Sequence, residues 1–185
     1  MNPACNIFII GPTGAGKSSL GRRLGAHYGR PFVDLDQEIE QRAGVSTSVV
    51  FDIEGEAGFR KREAALLESC SQCQGIVMAT GAGAVLDAAN REHLAARGFV
   101  VWLQASIDQQ LQRLRMDRSR PLLAGDDRRQ RLQAMAAERE PLYQSIADLV
   151  VASATDNLAT VGARCIDLLD ARWVQADAVE GQRQA

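Results

Sequence analysis

The sequence predicts an α/β fold, a parallel sheet covered by helices on both faces. Short apolar runs alternate along the chain with longer stretches of helical period, the pattern of repeated strand–helix units. The runs lack polar alternation, as strands buried on two faces should. The first run also feeds a glycine-rich loop that opens straight into a helical stretch.

Taken in order, the strand candidates are Cys5 to Ile10, Phe32 to Leu35, Gly75 to Thr80, Phe99 to Leu103 and Asp148 to Ser153. Helical stretches lie between them at Lys17 to Tyr28, Gln37 to Ala43, Ala57 to Cys70, Asn90 to Arg97, Asp108 to Arg115, Arg128 to Arg139 and Thr160 to Leu169. The polar piece "MDRSRPLLAGDDRR", broken by Pro121 and Gly125, reads as a mobile lid over about residues 116–128. The end, residues 171–185, shows no clear period and reads as a flexible tail. Residues 1–170 form a single expected domain, ample in length to bury a core.

Composition narrows the function. A net charge of -2 and a pI near 5.7 give no electrostatic reason to expect nucleic-acid binding. No apolar stretch suits a membrane span, and the N-terminus lacks the marks of a secretory peptide, so a cytoplasmic monomer is expected. The pair Cys70 and Cys73 lacks further ligands at a zinc-binding spacing and closes a helix instead of opening one. Free thiols are the expectation for all four cysteines, Cys5 and Cys165 included.

"GPTGAGKS", Gly11 to Ser18, satisfies the phosphate-loop pattern in full. Gly11, Gly14 and Gly16 let the backbone turn so that N–H groups, those of Ala15 and Ser19 among them, converge on phosphate oxygens. The helix beginning at Lys17 adds its positive end. The Lys17 ammonium suits the β- and γ-phosphates, and the Ser18 hydroxyl suits Mg²⁺. Lys17 and Lys61 are the only lysines among 21 basic residues, so a point charge stands where the cradle wants one. A nucleoside triphosphate is therefore the expected ligand. A GTPase would carry N-K-x-D, which is missing; "DIEG", Asp52 to Gly55, sits within a helical pattern. A mechanical ATPase would have a strand ending in Asp-Glu, also missing. A small-molecule kinase is left.

"FVDLDQ" sets Asp34 and Asp36 two residues apart at the end of the second strand, on one side of an extended chain. There they face the crevice in which α/β proteins bind ligands, one for Mg²⁺ and one for an acceptor hydroxyl. Asp36 also suits the N-cap of the next helix. In "GFRKRE" a helix puts Phe59 and Arg62 on one face and Arg60 on another. "ATGAGAV" is a glycine-bearing turn after a central strand, able to offer N–H groups to an anion.

Together, "GPTGAGKSSLGRRL", "FVDLDQEIEQRAG", "VFDIEGEAGFRKRE", "ATGAGAV", "RPLLAG" and "REPLY" resemble the shikimate kinases over about residues 5 to 170. The resemblance implies a three-layer fold like that of nucleoside monophosphate kinases, its five-stranded parallel sheet in the order 2-3-1-4-5. It implies ATP as co-substrate, Mg²⁺, and phosphoryl transfer to the 3-hydroxyl of shikimate on the route to aromatic amino acids. Asp34 then serves Mg²⁺ and Asp36 the shikimate hydroxyls. Arg60 and Arg139 hold the carboxylate, and Gly83, beside Ala82, gives a backbone contact. Arg120 is the lid arginine at the phosphates and Arg113 the one packed on adenine. The catalytic expectation rests on Lys17, Asp36 and Arg120.

One departure stands out. The family's turn is usually Gly-Gly-Gly, whereas here it reads Gly81-Ala82-Gly83. The expectation is that the backbone at 82 is ordinary and alanine is tolerated. The alternatives are a related kinase of the gluconate kinase type and a degenerate nucleotide-binding regulator. Retention of Lys17, Ser18, Asp34, Asp36 and Arg120 speaks against the regulator.

Overall fold

The computed structural model describes residues 5–115, 127–153 and 158–173. The strands are β1 (Asn6–Ile10), β2 (Phe32–Asp34), β3 (Val77–Ala79), β4 (Gly98–Gln104) and β5 (Leu149–Ala152). They form one parallel sheet in the order β2-β3-β1-β4-β5, with Ile7 beside Val77 and Phe99, and Asp34 beside Ala79. The helices are α1 (Lys17–Tyr28), α2 (Leu35–Ala43), α3 (Thr47–Ser71), α4 (Ala88–Arg97), α5 (Ile107–Arg113), α6 (Arg128–Ile146) and α7 (Leu158–Arg172).

Strand alternation divides the core in two. Ile7, Ile9, Val101 and Leu103 pack on one face with Leu20 and Leu24 of α1 and Val161 and Leu169 of α7. Phe8, Ile10, Val100 and Trp102 pack on the other with Ile39 of α2, Phe59 and Leu67 of α3 and Tyr143 of α6. The edge strand β5 departs from the expectation of two buried faces. Leu149 and Val151 are buried while Val150 and Ala152 are exposed, because only one side is covered.

Several helix boundaries differ from the sequence reading. α3 carries an unexpected first segment, residues 47–54, which meets the expected Ala57 to Cys70 helix at Gly55, whose φ of 67° and ψ of 179° are not helical, so two helices abut at a kink there. α6 continues beyond Arg139 to Ile146 with Pro141 inside it; proline costs the helix one donor, and Tyr143, only 1% exposed, anchors the far side. The tail begins later than expected. Ala171 and Arg172 complete α7, and Trp173 is buried against Tyr28 with the Arg30 guanidinium over its ring. Residues 174–185, and lid residues 116–126 with Arg120, lie outside the described residues. Arg128 opens α6 as the sequence reading expected, with Asp127 at the N-cap position.

Candidate active site

β1 ends at Ile10, and the loop turns under strict backbone limits. Gly11, Gly14 and Gly16 all have positive φ (139°, 72° and 101°), and Gly16 caps α1. A methyl on Gly11 would also strike the Leu103 carbonyl of β4. Lys17 Nζ folds back over the loop and donates to the Gly11 and Pro12 carbonyls, each at 2.9 Å. The Ser18 side chain follows in the first turn of α1. Arg113, at the end of α5, donates from Nη1 to Gly14 O (3.1 Å), Ala15 O (3.0 Å) and Ser153 Oγ (2.8 Å). It therefore braces the loop from behind.

The paired aspartates are arranged differently from the expectation. The chain is not extended through both, because α2 begins at Leu35. Asp34, not Asp36, is the N-cap: its Oδ1 accepts from the Asp36 N–H (3.1 Å) and the Gln37 N–H (3.3 Å). Asp36 lies in the first turn of α2, against the glycine turn; a methyl on Gly81 would sit 3.0 Å from its Oδ1.

On α3, Arg62 does not share the buried face of Phe59. It is exposed and forks onto Glu54 across the kink (2.8 and 2.6 Å). The residue one turn beyond Phe59 on the buried side is Glu63, 1% exposed. Its Oε2 accepts from Arg60 Nη1 at 2.6 Å, while Glu56 holds the other edge of the guanidinium at 3.2 Å. Burial, with Asp36 close by, holds the Glu63 carboxyl above the ordinary carboxylate range, against the pull of Arg60 and Arg139.

The Gly81–Gly83 turn follows β3 and leads into a short 3₁₀ turn, Ala84–Leu86. None of its residues has positive φ; Gly83 sits at φ -100°, ψ 0°. The glycines are needed for room instead. A methyl at 81 would run into Glu63 Oε1, and one at 83 into the Arg60 guanidinium. Ala82 is half-buried with ordinary backbone, so its methyl is accommodated as expected.

Arg139 is 7% exposed and comes in from α6. With Pro12, Thr13, Gln110, Glu140 and Tyr143 it lines a cleft between the phosphate loop and α6. Among the described residues, Arg139 Nε and Thr13 Oγ1 are buried without a hydrogen-bond partner, as is Glu63 Oε1. Thr13 and Arg139 both line the cleft, and an unpaired buried polar atom costs about 1–3 kcal/mol, so the pair marks a place suited to a polar ligand.

The structure thus brings Lys17, Ser18 and Arg113 to the phosphate loop, and Asp36, Arg60 and Gly83 to the turn beside it, with Arg139 on the cleft between loop and α6. Sequence reasoning assigned no role to Glu63, Tyr143 or Thr13. A signal existed for the first two: Glu63 is three residues after Arg60, and Tyr143 four after Arg139, both helical-neighbour spacings. Cys70 lies in the last turn of α3 and Cys73 follows the helix; both, with Cys5 and Cys165, are free thiols.

Comparison with known proteins agrees with this geometry. A family model described as "Shikimate kinase" matches residues 13–170. The shikimate kinase of Pasteurella multocida is 48% identical over 166 residues, covering 89% of this chain and 95% of the relative. That of Halorhodospira halophila is 50% identical over 163 residues, covering 88% and 92%. A structure of the Acinetobacter baumannii shikimate kinase in complex with shikimate superimposes with a TM-score of 0.86 at 38% identity, covering 92% of this chain and 95% of that one. With matches of this length and identity on a site of this construction, the chain belongs to the shikimate kinase family, phosphotransferases that use ATP as co-substrate.

Proposed function

We propose that the chain transfers the ATP γ-phosphoryl group to the 3-hydroxyl of shikimate, in the route to aromatic amino acids, with the residue roles that follow. The observation that carries the reading is the convergence of Arg60, Glu63, Asp36 and two crowded glycines on one turn beside the phosphate loop. One carboxylate and several hydroxyls on a small ring suit such a site. Arg60, held by Glu63 and Glu56, presents a guanidinium to the carboxylate, and Arg139 supplies the second charge. Asp36 accepts from the ring hydroxyls. The Gly83 N–H, whose Cα lies against Arg60, completes the carboxylate's seat.

Lys17 exchanges its two carbonyl partners for β- and γ-phosphate oxygens when ATP enters. Phosphoryl transfer depends mainly on alignment and on neutralising charge on the moving group, so Lys17 contributes more than any base. Arg113 keeps the loop carbonyls in place from behind, with its outer face left for the adenine. The donors suit Mg²⁺: Ser18 offers a hydroxyl, and both capping bonds to Asp34 fall on Oδ1, leaving Oδ2 for a hydrated cation. Bound there, Mg²⁺ would neutralise phosphate charge. ATP use and free thiols support a cytoplasmic setting. Among the described residues no helix is long and apolar enough to cross a membrane.

The test is an ADP-release assay with shikimate, quinate and gluconate offered in turn. Shikimate-dependent release exceeding that of both others is expected. Release that follows gluconate and ignores shikimate overturns the acceptor.

A further inference from the structure

We propose that Tyr143 is a positioning residue, which aims the Gly83 N–H at the acceptor's carboxylate by holding the carbonyl on the other side of the same peptide. The proposal rests on the reading above that this turn receives the carboxylate.

Tyr143 lies on α6, one turn after Arg139 and so on the same side of the helix. Its O–H donates to the Ala82 carbonyl at 2.5 Å, across 61 residues of sequence. Its ring is tilted against Trp102 of β4 (centroids 5.7 Å apart), and Trp102 is itself buried. The hydroxyl therefore has little freedom to leave.

The consequence follows from peptide geometry. In a trans peptide the C=O of one residue and the N–H of the next point in opposite directions, and the described residues contain no cis peptide. Fixing Ala82 O towards Tyr143 fixes the Gly83 N–H away from it. The turn's own bonds take the Gly81 and Gly83 carbonyls, through Ala84 N–H (3.2 Å) and Leu86 N–H (3.0 Å), and among the described residues nothing accepts from the Gly83 N–H. It is a donor held ready. Without the latch, Gly83 can rotate its peptide more freely than other residues and the N–H loses its aim. Because Arg139 and Tyr143 share α6, the helix sets one carboxylate arginine and the turn's N–H in a single register.

The experiment is Tyr143→Phe in the full chain, with steady-state kinetics in both substrates. Phenylalanine keeps the ring packing and removes only the donor. The shikimate KM should rise about tenfold, while the ATP KM and kcat stay within about twofold. With shikimate methyl ester, which has no carboxylate to orient, variant and wild type should differ by less than about twofold. An unchanged shikimate KM in Tyr143→Phe, an equal loss on the methyl ester, or a parallel loss in ATP KM overturns the latch. A wild-type chain with no shikimate-dependent turnover instead overturns the acceptor assignment on which the latch rests.

Discussion

Two glycine-bearing turns end neighbouring strands in this molecule, one after β1 and one after β3, and their glycines serve different ends. In the phosphate loop, Gly11, Gly14 and Gly16 adopt positive φ, which other residues resist. Lys17 bonds locally, to carbonyls five and six residues back, while Arg113 holds two loop carbonyls from about a hundred residues away. In the acceptor turn no residue has positive φ, and Gly81 and Gly83 are small because Glu63 and Arg60 of α3 press on them. The first turn is set by backbone conformation together with close packing, and the second by crowding from a distant helix alone. A glycine in a motif therefore carries no single meaning, and the two kinds predict different responses to the same substitution.

The largest effect should come from removing what crowds the second turn. On the proposed reading Arg60→Ala deletes a charge-assisted contact to the carboxylate, on the order of 2–4 kcal/mol, so the shikimate KM should rise about 30- to 1000-fold. The ATP KM should move by no more than a few-fold. Equal losses in both substrates would point to a general defect.

The glycines themselves test the comparison directly. Gly16→Ala forces a side chain into a left-handed cap and should cost about 1–2 kcal/mol of stability, with ATP binding weakened. Gly83→Ala meets no backbone strain but displaces the Arg60 guanidinium. Its melting temperature should stay near wild type while the shikimate KM rises on the order of tenfold. If both variants lose stability equally, the distinction between the turns collapses.

Glu63 offers a pH test. Its raised carboxyl means the folded chain binds a proton more tightly there than the unfolded chain does. The associated stability is complete below the unfolded value and is lost as pH rises from that value through the raised folded one. Glu63→Gln removes this titration, so its melting temperature should fall less steeply than that of the wild type from about pH 4 upward. The variant also loosens Arg60, and a shikimate KM several-fold higher is expected. Parallel melting profiles for the two proteins would show that Glu63 does not titrate in this way.

The smallest effect belongs to Ala82. Since its backbone is ordinary, Ala82→Gly should change the shikimate KM by less than about threefold and lower stability by about 0.4–1 kcal/mol, through the freedom glycine gains when unfolded. A variant that melts higher and binds shikimate at least tenfold more tightly would mean that alanine strains this turn after all.

The sequence by itself determined the phosphate loop, the five strands and the sheet's parallel sense. Each depends on residues adjacent in the chain: apolar runs, glycines at fixed offsets, a lysine opening a helix. It also carried Arg60, Arg139 and Asp36 through resemblance to a family. Only the tertiary structure decided how these meet. Asp34 became the helix cap because α2 starts at Leu35, two residues before the expected Gln37. Glu63 was passed over because a charged residue in "GFRKRE" reads as solvated until Asp36 and Arg60 are seen around it. Tyr143 lay beyond the expected end of its helix at Arg139, and its partner is 61 residues away. Backbone conformation is written in neighbouring residues. Crowding, burial and the pairing of distant polar groups arise only when the helices pack, and those are the terms that shape the acceptor side.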